Sequence, residues 1–221
     1  MYGRCAAAEP DDLEPALLIR SNATRSRQES RTASQGGTFV ALTPHFEVSA
    51  IYVASVQRQA AAFEPALELD PPTLEGLARP YSARWHPGEL PLEVHRAVVR
   101  RAGAEALVRF ERQGATHGLG PIIRPLAELV RTLTRVPAEA LLQAVPVAAQ
   151  LGVRGLHLHW DQQRRELTIR YPVEIEEVIA VCAWRGILEG VFELGRLPPP
   201  ALEVRFEPSS SLLTFALLGR G

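Results

Sequence analysis

From residue 153 to its end, the chain carries four short runs in which apolar and polar residues alternate, with one long helical run between the second and the third. In residues 156–160 and 167–171, every second side chain is Leu, Ile, Trp or Tyr, and a polar turn joins the two runs. A period of two is typical of a strand with one buried face, so this pair predicts an antiparallel hairpin. Residues 202–207 and 213–217 alternate in the same way and predict two more strands.

The run between these pairs, residues 174–194, has the spacing of a mostly buried helix. Its apolar side chains recur every three or four positions. Glutamates lie near its N-terminal end, where the helix dipole favours negative charge, and Gly195 is a reasonable stop signal. The end of the chain is therefore predicted to be ordered strand, strand, helix, strand, strand.

The chain before residue 153 is predicted to be mainly helical. Prolines recur between residues 65 and 91, which excludes long helices there and favours short turns linked by extended pieces. Gly103 is expected to kink or break the helical pattern around it. Helical spacing covers residues 45–63, 92–101, 104–113, 121–134 and 137–151. We therefore predict an α+β fold in which four or five helices form a layer on one face of a small antiparallel sheet.

Residues 1–37 differ in composition from the remainder of the chain. Residues 11–20 could form a short helix, but residues 21–37 are rich in Ser, Thr, Arg, Gln and Gly and contain no aliphatic side chain larger than Ala. Such a segment buries too little apolar surface to offset the entropy that it loses on ordering. We expect residues 1–37 to form a disordered or weakly helical arm and residues 38–221 to form a single domain. The contrast also leaves open a translation start near Phe39.

The charges of the chain are balanced and scattered. Its 24 basic and 25 acidic residues give a formal net charge of -1, so no basic field indicates a nucleic acid partner. Cys5 and Cys182 are its only cysteines, and one distant pair is not a disulfide framework. No window has the apolar length of a signal peptide or of a membrane span. We therefore expect a cytoplasmic protein without a membrane span.

Few side chains are candidates for chemistry. His157 and His159 share one face of a predicted strand with Glu166, and this spacing could place two imidazoles on zinc, but a zinc site needs further ligands and groups that orient them. The alternative is a polar strand face, so we predict no metal and no catalytic residue. Cys182 lies on the apolar side of the long helix without a positive residue one turn before it, which is typical of an inert core thiol.

Gly186 and Gly190 lie one turn apart in the predicted long helix. Each glycine costs about 1 kcal/mol of helix propensity relative to Ala, so a compensating contact is expected. One interpretation is the close approach of this helix to the sheet or to another helix. The other is a ligand pocket between the layers, bordered by Cys182, Trp184, Gly186, Gly190 and Phe192.

Four segments of the chain carry a resemblance to a known family. They are Pro80-Tyr81 with Trp85, GATHGLGPIIRPL from Gly114, LHLHWDQQRRELTIRYP from Leu156, and WRGILEGVFELG from Trp184. In these segments the chain resembles a family of uncharacterised proteins, much expanded in myxobacteria, whose fold is similar to 4-vinyl-reductase-like and heme-nitric-oxide-binding-like domains. The resemblance covers roughly residues 40–221 and implies a helical layer on a small antiparallel sheet, with an internal cavity. The sequence lacks a Tyr-x-Ser-x-Arg heme motif and the cysteine pairs of metal-binding relatives, so we expect no heme or iron–sulfur cofactor.

The residues leave three functions open. The resemblance implies a non-enzymatic ligand-sensing or regulatory domain, and an apolar ligand would require a cavity beside residues 186–190. A protein-interaction module, such as a homodimer, would instead have a filled interior and an exposed apolar patch. An enzyme would require ionisable side chains that converge in a cleft, around His157, His159 and Glu166.

Overall fold

The described part of the protein has an α+β fold. A computed structural model describes residues 45–118, 120–133 and 137–218, and these residues form seven helices and two antiparallel sheets. The predicted fold class is therefore confirmed. The predicted arm, residues 1–37, lies outside the described residues.

The described residues form seven strands and seven helices, and five of the strands follow α6. In chain order they are β1 (Glu47–Ser49), α1 (Ala50–Ala61), α2 (Pro71–Ala78), β2 (Trp85–Pro87), α3 (Glu89–Ala102), α4 (Ala104–Gly118), α5 (Gly120–Leu133), α6 (Pro137–Ala149), β3 (Val153–Arg154), β4 (His157–Asp161), β5 (Glu166–Arg170), α7 (Glu177–Leu194), β6 (Leu202–Glu207) and β7 (Leu212–Leu217). A 3-10 turn, Pro208–Ser210, joins the last two strands.

The larger sheet has four strands in the order β4-β5-β7-β6. β4 and β5 form the predicted hairpin, in which Leu158 lies opposite Ile169 and Trp160 lies opposite Leu167. β7 pairs with β5 on one side and with β6 on the other. The central strands bury four apolar side chains completely: Leu167, Ile169, Leu213 and Phe215. The predicted order strand, strand, helix, strand, strand is confirmed.

Helix α7 lies between the two hairpins in the sequence and packs along α4. Ion pairs border this contact, with Arg112 Nε 2.7 Å from Glu193 Oε2 and Arg185 Nη1 2.8 Å from Glu105 Oε1. These charges are about half-exposed or more, and exposed pairs contribute little to stability. The contact is therefore held mainly by the packing of the two helices rather than by these ion pairs.

A smaller sheet with the strand order β2-β1-β3 is absent from the sequence predictions. Its strands are two or three residues long, which is too short for an alternating pattern to be recognised. β1 occupies part of the segment predicted to be helical, residues 45–63, and α1 begins only after it. The reason is local, because Ser49 caps α1 and its side chain accepts a hydrogen bond from the backbone N–H of Tyr52.

The proline-rich segment contains a short helix, α2, where the sequence predicts turns and extended pieces. Asp70 Oδ1 accepts a hydrogen bond from the backbone N–H of Thr73 over 2.9 Å and caps this helix. Pro71 and Pro72 occupy its first turn, where a helix needs no backbone N–H. The prolines therefore start a helix here rather than prevent one.

The remaining helices follow the predicted pattern. α3 and α4 are separated at Gly103, whose φ of 82° lies in the left-handed region that glycine adopts without strain. α5 and α6 cover nearly the predicted segments, and each contains an interior proline. None of the described helices has the length and apolar character needed to cross a membrane.

Candidate ligand-binding cavity

An apolar cavity of about 250 Å³ lies inside the described part of the fold. Its wall is contributed by the start of α1, by α3, by α6 and the loop that follows it, and by the inner face of α7. The polar side chains in this wall are few: Ser49, Tyr52, His95, Tyr171 and Trp184. A concave apolar space with a small number of polar groups is the usual form of a small-molecule site.

The cavity opens to solvent between α1 and α6. Three of its lining side chains are also strongly exposed, with Ile51 at 45%, Val147 at 70% and Leu151 at 62%. Large apolar side chains that face both a cavity and the solvent mark the entrance to that cavity. We refer to these three residues as the rim.

Glu111 holds together a polar cluster behind the cavity wall. This side chain is only 1% exposed, and its carboxylate accepts hydrogen bonds from the Tyr52 hydroxyl at 3.1 and 3.2 Å. Nε2 of His95 lies 2.7 Å from Oε1 of the same carboxylate. The three residues come from α1, α3 and α4, so helix packing brings them together.

The tyrosine of this cluster is held as a neutral donor. Burial of its hydroxyl raises the pKa of Tyr52 well above the usual value, and the negative charge of Glu111 raises it further. Although Tyr52 as a residue is only partly buried, its hydroxyl lies against the buried carboxylate. Tyr52 therefore stays protonated and donates a hydrogen bond to Glu111.

Tyr171 and Trp184 form a second polar pair in the cavity wall. Nε1 of Trp184 donates to the Tyr171 hydroxyl oxygen over 2.8 Å. Burial raises the pKa of Tyr171, and the Glu111 carboxylate adds to this effect, which outweighs the opposite influence of Trp184. The Tyr171 hydroxyl therefore stays protonated and accepts from Trp184.

The ring of His95 lines the cavity and has one nitrogen without a partner. Nε2 is bonded to Glu111, but the buried Nδ1 has no hydrogen-bond partner among the described residues. His95 is 4% exposed, and a buried polar atom without a partner is uncommon and destabilising in a folded protein. This nitrogen is one polar group of the cavity wall that none of the described residues satisfies.

The residues predicted to border a pocket are divided between the cavity and the core. Trp184 lines the cavity. Cys182 and Phe192 are 8% and 1% exposed, pack in the apolar core, and do not belong to the described lining. Burial raises the pKa of the Cys182 thiol, and the charge of Glu105 raises it further, which makes the thiolate scarce.

The two glycines of α7 face α4 rather than the cavity. A Cβ atom added at residue 186 would overlap the carbonyl oxygen of Val108 and lie 2.9 Å from the Cβ of Glu111. A Cβ atom added at residue 190 would lie 2.7 Å from the Cβ of Ala115. Both positions therefore match the interpretation of close helix approach.

The histidines considered as metal ligands are not among the residues that line the cavity. His157 and His159 are exposed on the edge strand β4. Within the described ranges, no group of three or more His, Cys, Asp or Glu side chains could hold a metal ion. Glu166, the third candidate, pairs instead with Arg205.

The polar cluster around Glu111 is missing from the sequence predictions, although a signal for it is present. His95 lies three residues after Leu92, and Glu111 lies four residues after Leu107, so each polar residue continues the apolar stripe of its helix. A polar residue in such a stripe is expected to be buried and to need a partner. The pairing itself depends on how the helices pack, which helical spacing does not reveal.

Comparison of the chain with protein-family models, with curated proteins and with solved structures finds no match.

Proposed function

We propose that this protein binds a small apolar molecule in the cavity and acts as a non-enzymatic ligand-sensing or regulatory domain. The observation that supports this most directly is an open cavity of about 250 Å³ with an almost entirely apolar wall. A dry apolar cavity of about 150 Å³ can hold benzene, so this space suits a ligand of roughly ten non-hydrogen atoms. A longer ligand would extend into the entrance and cover the rim.

The same observation favours binding over the alternative of a filled interaction module. A protein-interaction module does not need an internal cavity, and an unfilled cavity lowers its stability because van der Waals contacts are lost. The polar side chains of the wall are also bonded mostly to neighbouring groups, Tyr52 and His95 to Glu111 and Trp184 to Tyr171. This arrangement supports a binding role rather than a catalytic one.

Calorimetric titration with butylbenzene tests the proposal, because this probe is apolar and close to the size of the cavity. The full-length protein should bind it saturably with a stoichiometry of one. Ala183 lines the cavity and is 6% exposed, so Ala183→Phe fills the space and should weaken binding at least tenfold. Ala61 is exposed at the end of α1, and Ala61→Phe is the matched control that should bind like the original protein.

A second variant guards against a folding defect in the first. Ala144 also lines the cavity, from α6, and Ala144→Phe should weaken binding by the same mechanism. Circular dichroism would confirm that each variant retains its helices. Failure of the original protein to bind butylbenzene, or equal binding by folded variants at residues 144 and 183, would contradict the proposal.

A further inference from the structure

We infer that the ligand carries an uncharged hydrogen-bond acceptor, such as the carbonyl of a ketone, an aldehyde or an ester, which Tyr171 and His95 recognise. This inference rests on the proposed function and specifies the class of ligand. It follows from two groups in the cavity wall, Tyr171 and His95, whose hydrogen-bonding capacity the described residues do not fill, and from the apolar character of the wall around them.

The hydroxyl of Tyr171 presents a free proton. The indole nitrogen of Trp184 can only donate, so the Tyr171 oxygen must act as the acceptor of their 2.8 Å hydrogen bond. The hydroxyl proton of Tyr171 then points elsewhere, and no acceptor for it is found among the described residues. Tyr171 is 7% exposed and lines the cavity, so an acceptor on a bound ligand is its available partner.

The free nitrogen of His95 is also a donor. Glu111 and His95 are both buried, and a buried pair is far more stable when its net charge is zero. Two arrangements of the pair have no net charge, and each places one proton between Nε2 and Oε1, which lie 2.7 Å apart. In the first, Nε2 carries that proton, and an imidazolium faces a carboxylate. In the second, Oε1 carries it, and a carboxylic acid faces a neutral imidazole. In both arrangements Nδ1 carries its own proton, so its missing partner is an acceptor.

The apolar wall also disfavours an anionic ligand. A ligand carboxylate would leave water for a space whose wall is almost entirely apolar, and the Glu111–His95 pair, neutral overall, supplies no net positive charge to balance it. An uncharged acceptor satisfies the free donors without adding charge.

Three probes that share a phenyl ring and a chain of four carbons separate the contributions. Butylbenzene has no polar group, butyrophenone adds a ketone, and phenylbutanoate adds a carboxylate. In calorimetric titration of the full-length protein, butyrophenone should bind about tenfold more tightly than butylbenzene, which is the effect of one added hydrogen bond. Phenylbutanoate should bind more weakly than butyrophenone by at least tenfold.

The infrared spectrum of bound butyrophenone shows the hydrogen bond directly. A hydrogen bond lowers the stretching frequency of a carbonyl, whereas a purely apolar site leaves it as in a hydrocarbon solvent. The carbonyl band should therefore shift down in the original protein and recover part of that shift in Tyr171→Phe. Tyr81 is 73% exposed, and Tyr81→Phe is the matched control that should keep the full shift.

The outcomes distinguish the two proposals. If all three probes fail to bind, the proposed function is wrong and the inference falls with it. If butylbenzene and butyrophenone bind equally, or if the carbonyl band of the bound ketone is unshifted, the cavity is a site for apolar molecules but the acceptor is not recognised. Tighter binding of phenylbutanoate than of butyrophenone would likewise overturn the inference while leaving the binding site in place.

Discussion

Trp184 donates a hydrogen bond to Tyr171 across 2.8 Å, and both side chains are buried in the wall of the cavity. Tyr171→Phe leaves the indole N–H without an acceptor and should lower the free energy of unfolding by about 1–3 kcal/mol. Urea denaturation measures this change. The exposed Tyr81→Phe should alter stability by less than about 0.5 kcal/mol.

A double-mutant cycle isolates the hydrogen bond from the packing of the two rings. Trp184→Phe removes the donor as well as ring volume, and the double variant should be more stable than the sum of the two single effects predicts. Strict additivity would show that the two side chains contribute to stability independently.

The Glu111–His95 pair should be far more sensitive to substitution than a surface pair of equal length. Glu111→Leu leaves the buried His95 ring and the Tyr52 hydroxyl without their shared partner, so we expect a loss of about 3–5 kcal/mol in the free energy of unfolding. Arg112 and Glu193 also lie 2.7 Å apart but are about half-exposed, and Glu193→Leu should cost at most about 1 kcal/mol.

The companion substitution in this pair tests the cause of that loss. In the double variant with Glu111→Leu and His95→Leu, both members of the pair are replaced and only the Tyr52 hydroxyl lacks its partner, so stability should partly recover. The expectation would be contradicted if the double variant were less stable than Glu111→Leu by the whole loss in free energy of unfolding that His95→Leu causes alone. Urea denaturation again gives the comparison.

The glycines at residues 186 and 190 should resist substitution by alanine, although alanine is the better helix former. The added methyl group overlaps α4 at either position, so overpacking of about 1–3 kcal/mol should exceed the propensity gain of about 1 kcal/mol, most clearly at residue 186. Gly120 is the matched control, because its added Cβ would lie 3.6 Å from Leu194 Cδ2, the nearest atom of the described side chains. Thermal unfolding should show a lower Tm for Gly186→Ala and an unchanged or higher Tm for Gly120→Ala.

Stability should fall as the solution becomes strongly alkaline. Folding raises the pKa of Tyr52, so the folded state binds a proton more tightly than the unfolded state does. This contribution is complete below about pH 10, the usual tyrosine value, and is lost above it with a slope of up to about 1.4 kcal/mol per pH unit. Tyr52→Phe should show a shallower decline, while Tyr81→Phe should keep the original slope.

Urea denaturation at several pH values between neutrality and the alkaline limit provides this measurement. Tyr171 has a raised pKa as well, so Tyr171→Phe should also flatten the decline. An alkaline slope that neither variant changes would show that the loss of stability comes from other groups.

The C-terminal half of the fold could be predicted from the sequence because its pattern is local. In the β4–β5 hairpin, the period of two places Leu167 and Ile169 on the face that the structure buries completely. The smaller sheet could not be predicted, since Val48 and its neighbours form a strand only through partners that are distant in the chain.

The site was harder to predict than the fold. Of the five residues expected to border a pocket, Trp184 lies in the cavity wall and the other four do not belong to the described lining. The spacing of apolar residues identifies a buried helix, but it does not show which neighbour each face of the helix contacts. Tyr52 and Glu111 are far apart in sequence and meet only through the packing of α1 against α4. No period within a single helix reports such a contact.

One position joins the helix packing to the polarity of the cavity. Residue 186 has no side chain, and the space that a methyl group would need is occupied in part by the Cβ of Glu111. A larger residue there would push aside the acid that Tyr52 and His95 share. Homologues of this protein should therefore replace the glycine and the acid together. A homologue with a bulkier residue at position 186 would lack this acid beside the cavity and would favour a ligand of different polarity.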